Sequence, residues 1–179
     1  MFSALIEKLQ RKKQISLLTK HRNSKIGSLK IGINNHFTLY PDLKSIAFGN
    51  SINLRNYIHI IVGKNAVLEL GNNVFMNNFC SINCLDHVSI GENTLFGENV
   101  KLYDHNHAYK RDENCLTVSH SEFTKASIKI GKNCWLGSNV TVLKGVTIGD
   151  NCIIGAGCVI YKNVPENSTV VHQQTPLSK

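Results

Sequence analysis

Aliphatic residues recur every six positions along the C-terminal third of the chain: Ile130, Leu136, Val142, Ile148, Ile154 and Ile160. Four positions after each stands a small or β-branched residue: Cys134, Val140, Val146, Cys152, Cys158 and Val164. Glycine follows the aliphatic residue at Gly131, Gly137, Gly149 and Gly155. A helix repeats near 3.6 and an ordinary strand at 2, so a period of six describes one short strand plus a turn. Three such steps close a triangular coil of about 18 residues, and each coil buries its core against the next. The interior is narrow, so only one of the two inward positions is bulky. Cysteine fits the small position as a compact hydrophobe, and glycine fits the corner, where the backbone needs room.

The same rhythm is looser upstream. Ile90-Gly91, Phe96-Gly97 and Leu102 are in phase, as are Leu70-Gly71, Met76, Ile82 and Val88 among themselves, and Val62-Gly63, Phe48-Gly49 and Ile31-Gly32 read as degenerate earlier coils. The pattern predicts an all-β triangular solenoid over residues 26–170, legible to Val164. It is preceded by a basic helical cap over 1–25 and followed by a short tail, 171–179. Phe2, Leu5, Ile6 and Leu9 at helical spacing are the residues expected to turn toward the first coil. One period breaks. Ile90 to Ile130 spans 40 positions, where two coils need about 36, and residues 104–127 follow no hexad. A regular scaffold that extrudes one long polar loop is the place to look for function.

Composition narrows the reading. The 179 residues suit one domain that needs no disulfide or metal staple. The formal charge is +8, and residues 1–30 hold eight bases against a single acid, Glu7. This basic segment is read as a solvated helix or as a contact with an anionic lipid surface or glycan. Nucleic acid is not the partner expected, because no aromatics interleave the basic run and no nucleic-acid motif accompanies it. No apolar run is long enough to span a bilayer, and the start has no secretory core, so a cytoplasmic protein with reduced thiols is expected. The six cysteines form no paired Cys-x2-Cys set, so no structural zinc is expected and packing is their role.

The run from Ile130 through Val164-Pro165 resembles the left-handed parallel β-helix acyltransferases of the hexapeptide-repeat superfamily. It is nearest to galactoside and maltose acetyltransferases and to bacterial polysaccharide O-acetyltransferases. The resemblance implies a left-handed helix, acetyl-CoA as co-substrate, no metal, and a homotrimer acting on a sugar or polysaccharide. It places the general base on His107, with His105 as runner-up. It places acceptor contacts on Asn77, Asp86 and Trp135, and coenzyme contacts on Ser138, Ala156, Tyr161 and Lys162. Many relatives close with Gly-x-Pro-Ala-Lys and a basic helix; here the chain reads Val171-His172-Gln173-Gln174, which leaves Lys162 or Lys144 to meet the coenzyme phosphates. Peripheral contact with the inner membrane through the basic segment is a further expectation.

Three other classes stand beside this one. A serine or xenobiotic acetyltransferase shares the fold. A γ-type carbonic anhydrase would use Asp104, His105 and His107 as zinc ligands, but the chain lacks the His-x4-His pair of that family. A non-catalytic solenoid would bind no acetyl-CoA. A hydroxyl is a poor nucleophile at pH 7, and a neutral imidazole is the side chain suited to take its proton during attack on a thioester.

Overall fold

The computed structural model describes residues 2–172, with side chains from residue 5 onward. The tail expected at 171–179 lies outside the described residues from 173 on, as does the side chain of Phe2. One α-helix, Phe2–Lys20, precedes a solenoid of about six turns built wholly from parallel strands. The first face stacks Ser24–Ile26, Ser45–Phe48, Val67–Leu70, His87–Ile90, Ile128–Ile130 and Thr147–Ile148. The second stacks Leu29–Ile31, Ile52–Leu54, Phe75–Met76, Leu95–Phe96, Trp135–Leu136, Ile153–Ile154 and Thr169–Val170. The third stacks His36–Leu39, His59–Val62, Ser81–Cys84, Lys101–Tyr103, Thr141–Leu143 and Val159–Ile160. This is the architecture expected of the left-handed parallel β-helix.

The hexad positions form the core. Ile130, Leu136, Val142, Ile148, Ile154 and Ile160 are buried, and so are Cys134, Val140, Val146, Cys152, Cys158 and Val164. The buried thiols also bridge coils, since Cys80, Cys84, Cys134 and Cys152 each donate to a backbone carbonyl at 3.0–3.1 Å. Cys115 is the exception to the packing role: it is exposed in the protruding segment. Glycine at the corners answers a steric demand. A Cβ on Gly91 would stand 2.5 Å from the backbone of Gly131 and Lys132 in the next coil.

Two expectations are corrected. The 40-residue step is a single coil, not two. Val88 pairs with Ile128, Leu95 with Trp135 and Leu102 with Val142, so the coil carries all its excess length in one insertion. That insertion is no irregular loop. His105–Arg111 and Leu116–Lys125 form an antiparallel hairpin, with a register shift between His107 and Tyr109.

The helix does not seat on the expected residues either. Leu5, Ile6 and Leu9 are exposed, whereas Leu18 is fully buried and Ile15 packs on the core. At about 100° per residue, Leu18 and Ile15 share the inner face, and Leu5, Ile6 and Leu9 fall opposite, among Lys12, Lys13 and Lys20. A side-chain bond from Gln14 Nε2 to the Asn35 carbonyl fixes the cap to the first coil.

Asparagine ladders were not foreseen. Asn73, Asn93, Asn133, Asn151 and Asn167 sit one above another with φ of 55–59°, each amide donating to the next at 3.0–3.1 Å. Asparagine tolerates the left-handed conformation better than other side chains, and the ladder satisfies its amides along the corner.

Candidate active site

The insertion is rooted by one carboxylate. Asp104 follows Leu102 at the inward step that Val62 and Cys84 occupy in earlier coils, and it is fully buried. A charge there must be matched by donors. The Leu85 N–H lies 2.9 Å from both carboxylate oxygens, and the Asp86 N–H donates to Oδ2 at 2.7 Å. His105 Nδ1 lies 3.1 Å from Oδ1. The Ala126 N–H returns to the Asp104 carbonyl at 2.9 Å, which closes the root of the hairpin.

His107 stands two residues further out and is exposed. Its Nδ1 is 2.8 Å from the Ser119 carbonyl across the hairpin. A carbonyl only accepts, so Nδ1 carries the proton and Nε2 presents its lone pair. The Asp104 carboxylate imposes the same tautomer on His105. Phe123 from the opposite strand packs on both rings, edge-on to His105 at 5.1 Å and tilted to His107 at 4.7 Å. Two imidazoles in base-competent tautomers therefore share one aromatic backing.

Asp86 joins this cluster, because its backbone N–H is held by Asp104 and its Oδ2 accepts from the Ser127 hydroxyl at 2.7 Å. Tyr161 and Lys162 lie on the same edge of the prism, where the third face turns into the first, with the ammonium 5.7 Å from the Tyr161 ring centre. Lys144, proposed for a phosphate, instead donates to Thr124 Oγ1 at 2.8 Å and braces the hairpin.

Asn77, Ser138 and Ala156 lie on a different edge, between the second and third faces. The Asn77 N–H bonds the Phe96 carbonyl, and its Oδ1 accepts from the Asn78 N–H at 2.9 Å. Ser138 Oγ accepts from the Glu98 N–H at 3.2 Å, and Ala156 lies against Gly137 in the next coil. Trp135 faces out from the second face, 53% exposed, in a column with Phe75, Leu95 and Ile153. One chain thus divides the edge residues between two corners separated by the third face, whose strands run two to four residues and so roughly 7–13 Å, with Trp135 on the second face.

Sequence reasoning passed over Asp104 as an anchor, and missed Phe123 and Ser127. Asp104 had a signal, since an acid in an inward repeat position is anomalous. The other two had none, because they belong to the hairpin and not to the repeat. Among the described residues, no group of three or more His, Cys, Asp or Glu side chains is arranged to hold a metal ion.

The sequence pattern of the family described as "Bacterial transferase hexapeptide (six repeats)" matches residues 127–162. That segment carries the hexapeptide repeat found in bacterial transferases. Among similar proteins, the putative lipopolysaccharide biosynthesis O-acetyl transferase WbbJ of Escherichia coli (strain K12) is 29% identical over 131 residues, which is 70% of this chain and 67% of that protein. A hexapeptide-repeat acetyltransferase of Vibrio cholerae O1 biovar eltor, complexed with acetyl coenzyme A, has the same fold. It gives a TM-score of 0.60 at 18% identity, over 90% of this chain and 72% of that one. A point mutant of AntD, an N-acyltransferase of Bacillus cereus, crystallised with dTDP-4-amino-4,6-dideoxyglucose and coenzyme A, gives 0.68 at 13% identity, over 86% and 81%. These two likenesses establish the hexapeptide-repeat fold.

Proposed function

We propose that this chain is an acetyl-CoA-dependent O-acetyltransferase that acts on a sugar hydroxyl, in a cell-surface polysaccharide or lipopolysaccharide unit made in the cytoplasm. The observation that carries the reading is His107, whose Nδ1 is committed to the Ser119 carbonyl so that Nε2 is left as a free acceptor on an exposed arm. Its relative WbbJ is named as an O-acetyl transferase of lipopolysaccharide biosynthesis.

In this mechanism His107 Nε2 takes the proton of the acceptor hydroxyl as its oxygen attacks the acetyl carbon. The thioester C–S bond breaks, and the imidazolium returns the proton to the departing thiolate. Trp135 lies under the sugar and Asn77 orients it. Ser138, Ala156, Tyr161 and Lys162 meet acetyl-CoA, whose thin pantetheine arm suits the open edge at Gly157, where an added Cβ would touch nothing within 4 Å. Because these residues fall on two edges of one chain, the complete site is assembled between copies. A cyclic homotrimer supplies that arrangement.

A second reading makes His105 the base, and its contact with the buried Asp104 favours it. No helix among the described residues is long and apolar enough to cross a membrane. Leu18 and Ile15 seat the helix on the first coil, and Gln14 bonds the Asn35 carbonyl, which speaks for a capping role.

Thiol release from acetyl-CoA, screened over neutral sugars, sialic acids, amino sugars, serine and chloramphenicol, tests the reading. Release is expected with a sugar and lost in His107→Ala. Turnover only with serine or chloramphenicol moves the enzyme to the alternative class, and no rise in melting temperature with acetyl-CoA removes the transferase reading altogether.

A further inference from the structure

A cleft of about 490 Å³ lies between the helix and the first two coils of the second face, walled by Arg11, Lys30, Asn53, Arg55 and Asn56. Three cations converge there. The ion pairs within reach include one carboxylate, Glu7, whose Oε2 is 3.2 Å from Arg11 Nη2, and Glu7 is the sole acid before Asp42. Arg11 keeps further N–H donors, since a guanidinium has five. Gathering like charges around a concave wall is unfavourable without an anion, and such a wall focuses the field that attracts one. Two guanidiniums and an ammonium are the side chains that recognise phosphate oxygens.

The cleft is aligned with the candidate acceptor site. Reading up the outward positions of the second face, Lys30 is followed by Asn53, Phe75, Leu95 and Trp135, each paired with the next. The column passes from cationic through polar to apolar and aromatic. Its four steps, at about 4.8 Å each, put the Lys30 rung about 19 Å from Trp135. A neutral monosaccharide does not reach that far, whereas an oligosaccharide that ends in a phosphate or diphosphate does.

We propose that the cleft of Arg11, Lys30 and Arg55 binds a phosphate or diphosphate group of the acceptor, so that the acceptor is a phosphorylated or diphosphate-linked saccharide. The link to an acceptor rests on the O-acetyltransferase reading above; the anion site itself does not.

Inorganic pyrophosphate is the probe, titrated calorimetrically into the full chain at low ionic strength, beside the double variant Lys30→Gln/Arg55→Gln. Pyrophosphate should bind the parent protein and raise its melting temperature, because a ligand held by the folded state alone stabilises it. In the double variant, binding should weaken by roughly tenfold or more, as expected for lost hydrogen bonds to charged groups. Without the anion the variant should melt no lower than the parent, since it has lost repulsion and no packing. Absence of binding to the parent, or equal binding by the variant, overturns the site. Co-sedimentation with phosphatidylglycerol vesicles that persists in the variant, with no pyrophosphate binding, also overturns it and assigns the basic end to a bilayer. Pyrophosphate binding with no acetyl-CoA-induced shift sustains the site and rejects the transferase reading instead. With both ligands bound, a phosphorylated acceptor should show a lower KM than its phosphatase-treated form; equal KM values overturn the link to the acceptor.

Discussion

Asp104 and His105 are neighbours in sequence whose side chains meet at the solenoid wall. The carboxylate lies wholly inside, and the largely buried imidazole reaches it with Nδ1 3.1 Å from Oδ1. The pair converts a buried charge into an orientation constraint on the base of the hairpin. His107, one alternation further along the same strand, inherits that placement.

Removing Asp104 should therefore loosen the arm and destabilise the coil beneath it. Asp104→Ala strips the Leu85 and Asp86 N–H groups of their acceptor, at about 1–3 kcal/mol for each buried group left unpaired. Asp104→Asn keeps one carbonyl acceptor and should cost less. Urea denaturation of the two variants orders them, and an Asp104→Ala protein as stable as the parent contradicts the anchoring role.

His107→Ala should lower kcat by about 10²–10⁴-fold, the range for loss of a general base, with its melting temperature kept. His105→Ala should fall less and lose stability as well, because it removes one of the donors that hold the Asp104 carboxylate. The reverse pattern, full turnover in His107→Ala and none in His105→Ala, reassigns the base.

The thiols should divide five to one. Cys80 is pushed up to about 11, chiefly by burial, and Cys84 and Cys134 are also raised, burial again being the main cause. They stay protonated and inert at neutral pH. An aromatic disulfide reagent should label Cys115 alone in the native protein and all six cysteines in denaturant. Rapid labelling of a second native thiol would falsify the packing account.

His59 sets a pH prediction. Burial, and then its neighbour His36, with ring centres 5.3 Å apart, depress its pKa below 6.5. The unfolded chain then binds the proton more tightly than the folded one. The contribution of His59 to stability is complete above about pH 6.5 and is lost as pH falls through its lower folded value. His59→Gln should flatten this acid limb of a melting-temperature profile, and an unchanged slope rules His59 out as its source.

Leu18 carries the seat of the cap. Leu18→Ala should cost about 2–5 kcal/mol by the usual measure for a buried leucine, while Leu9→Ala on the exposed face should be nearly neutral. Chemical denaturation distinguishes the two.

The repeat was legible because it is redundant: every aliphatic and small hexad position from Ile130 to Val164 is buried as its spacing dictates. The first coils were harder to read, since Phe48 to Leu70 takes 22 residues where Ile130 to Ile148 takes 18, and longer corners blur the period. Residues 104–127 obey strand alternation in a hairpin, a two-residue rhythm masked by polar residues on both exposed sides. The helix misled because Leu5, Ile6 and Leu9 have the spacing of a buried face, whereas Leu18 and Ile15, with fewer apolar companions, meet the coil. The Asp104 anchor is tertiary: its donors at Leu85 and Asp86 are one coil away, and sequence distance hides them.

The asparagine ladder passes straight from Asn93 to Asn133, across the 40 positions that include the hairpin, with the same 3.1 Å bond it makes between Asn133 and Asn151. The scaffold thus closes over the insertion as if nothing had been spliced in. An arm mounted this way can be lengthened, trimmed or exchanged while the tower that bears it keeps its register, so new acceptors are within reach by remodelling one appendage.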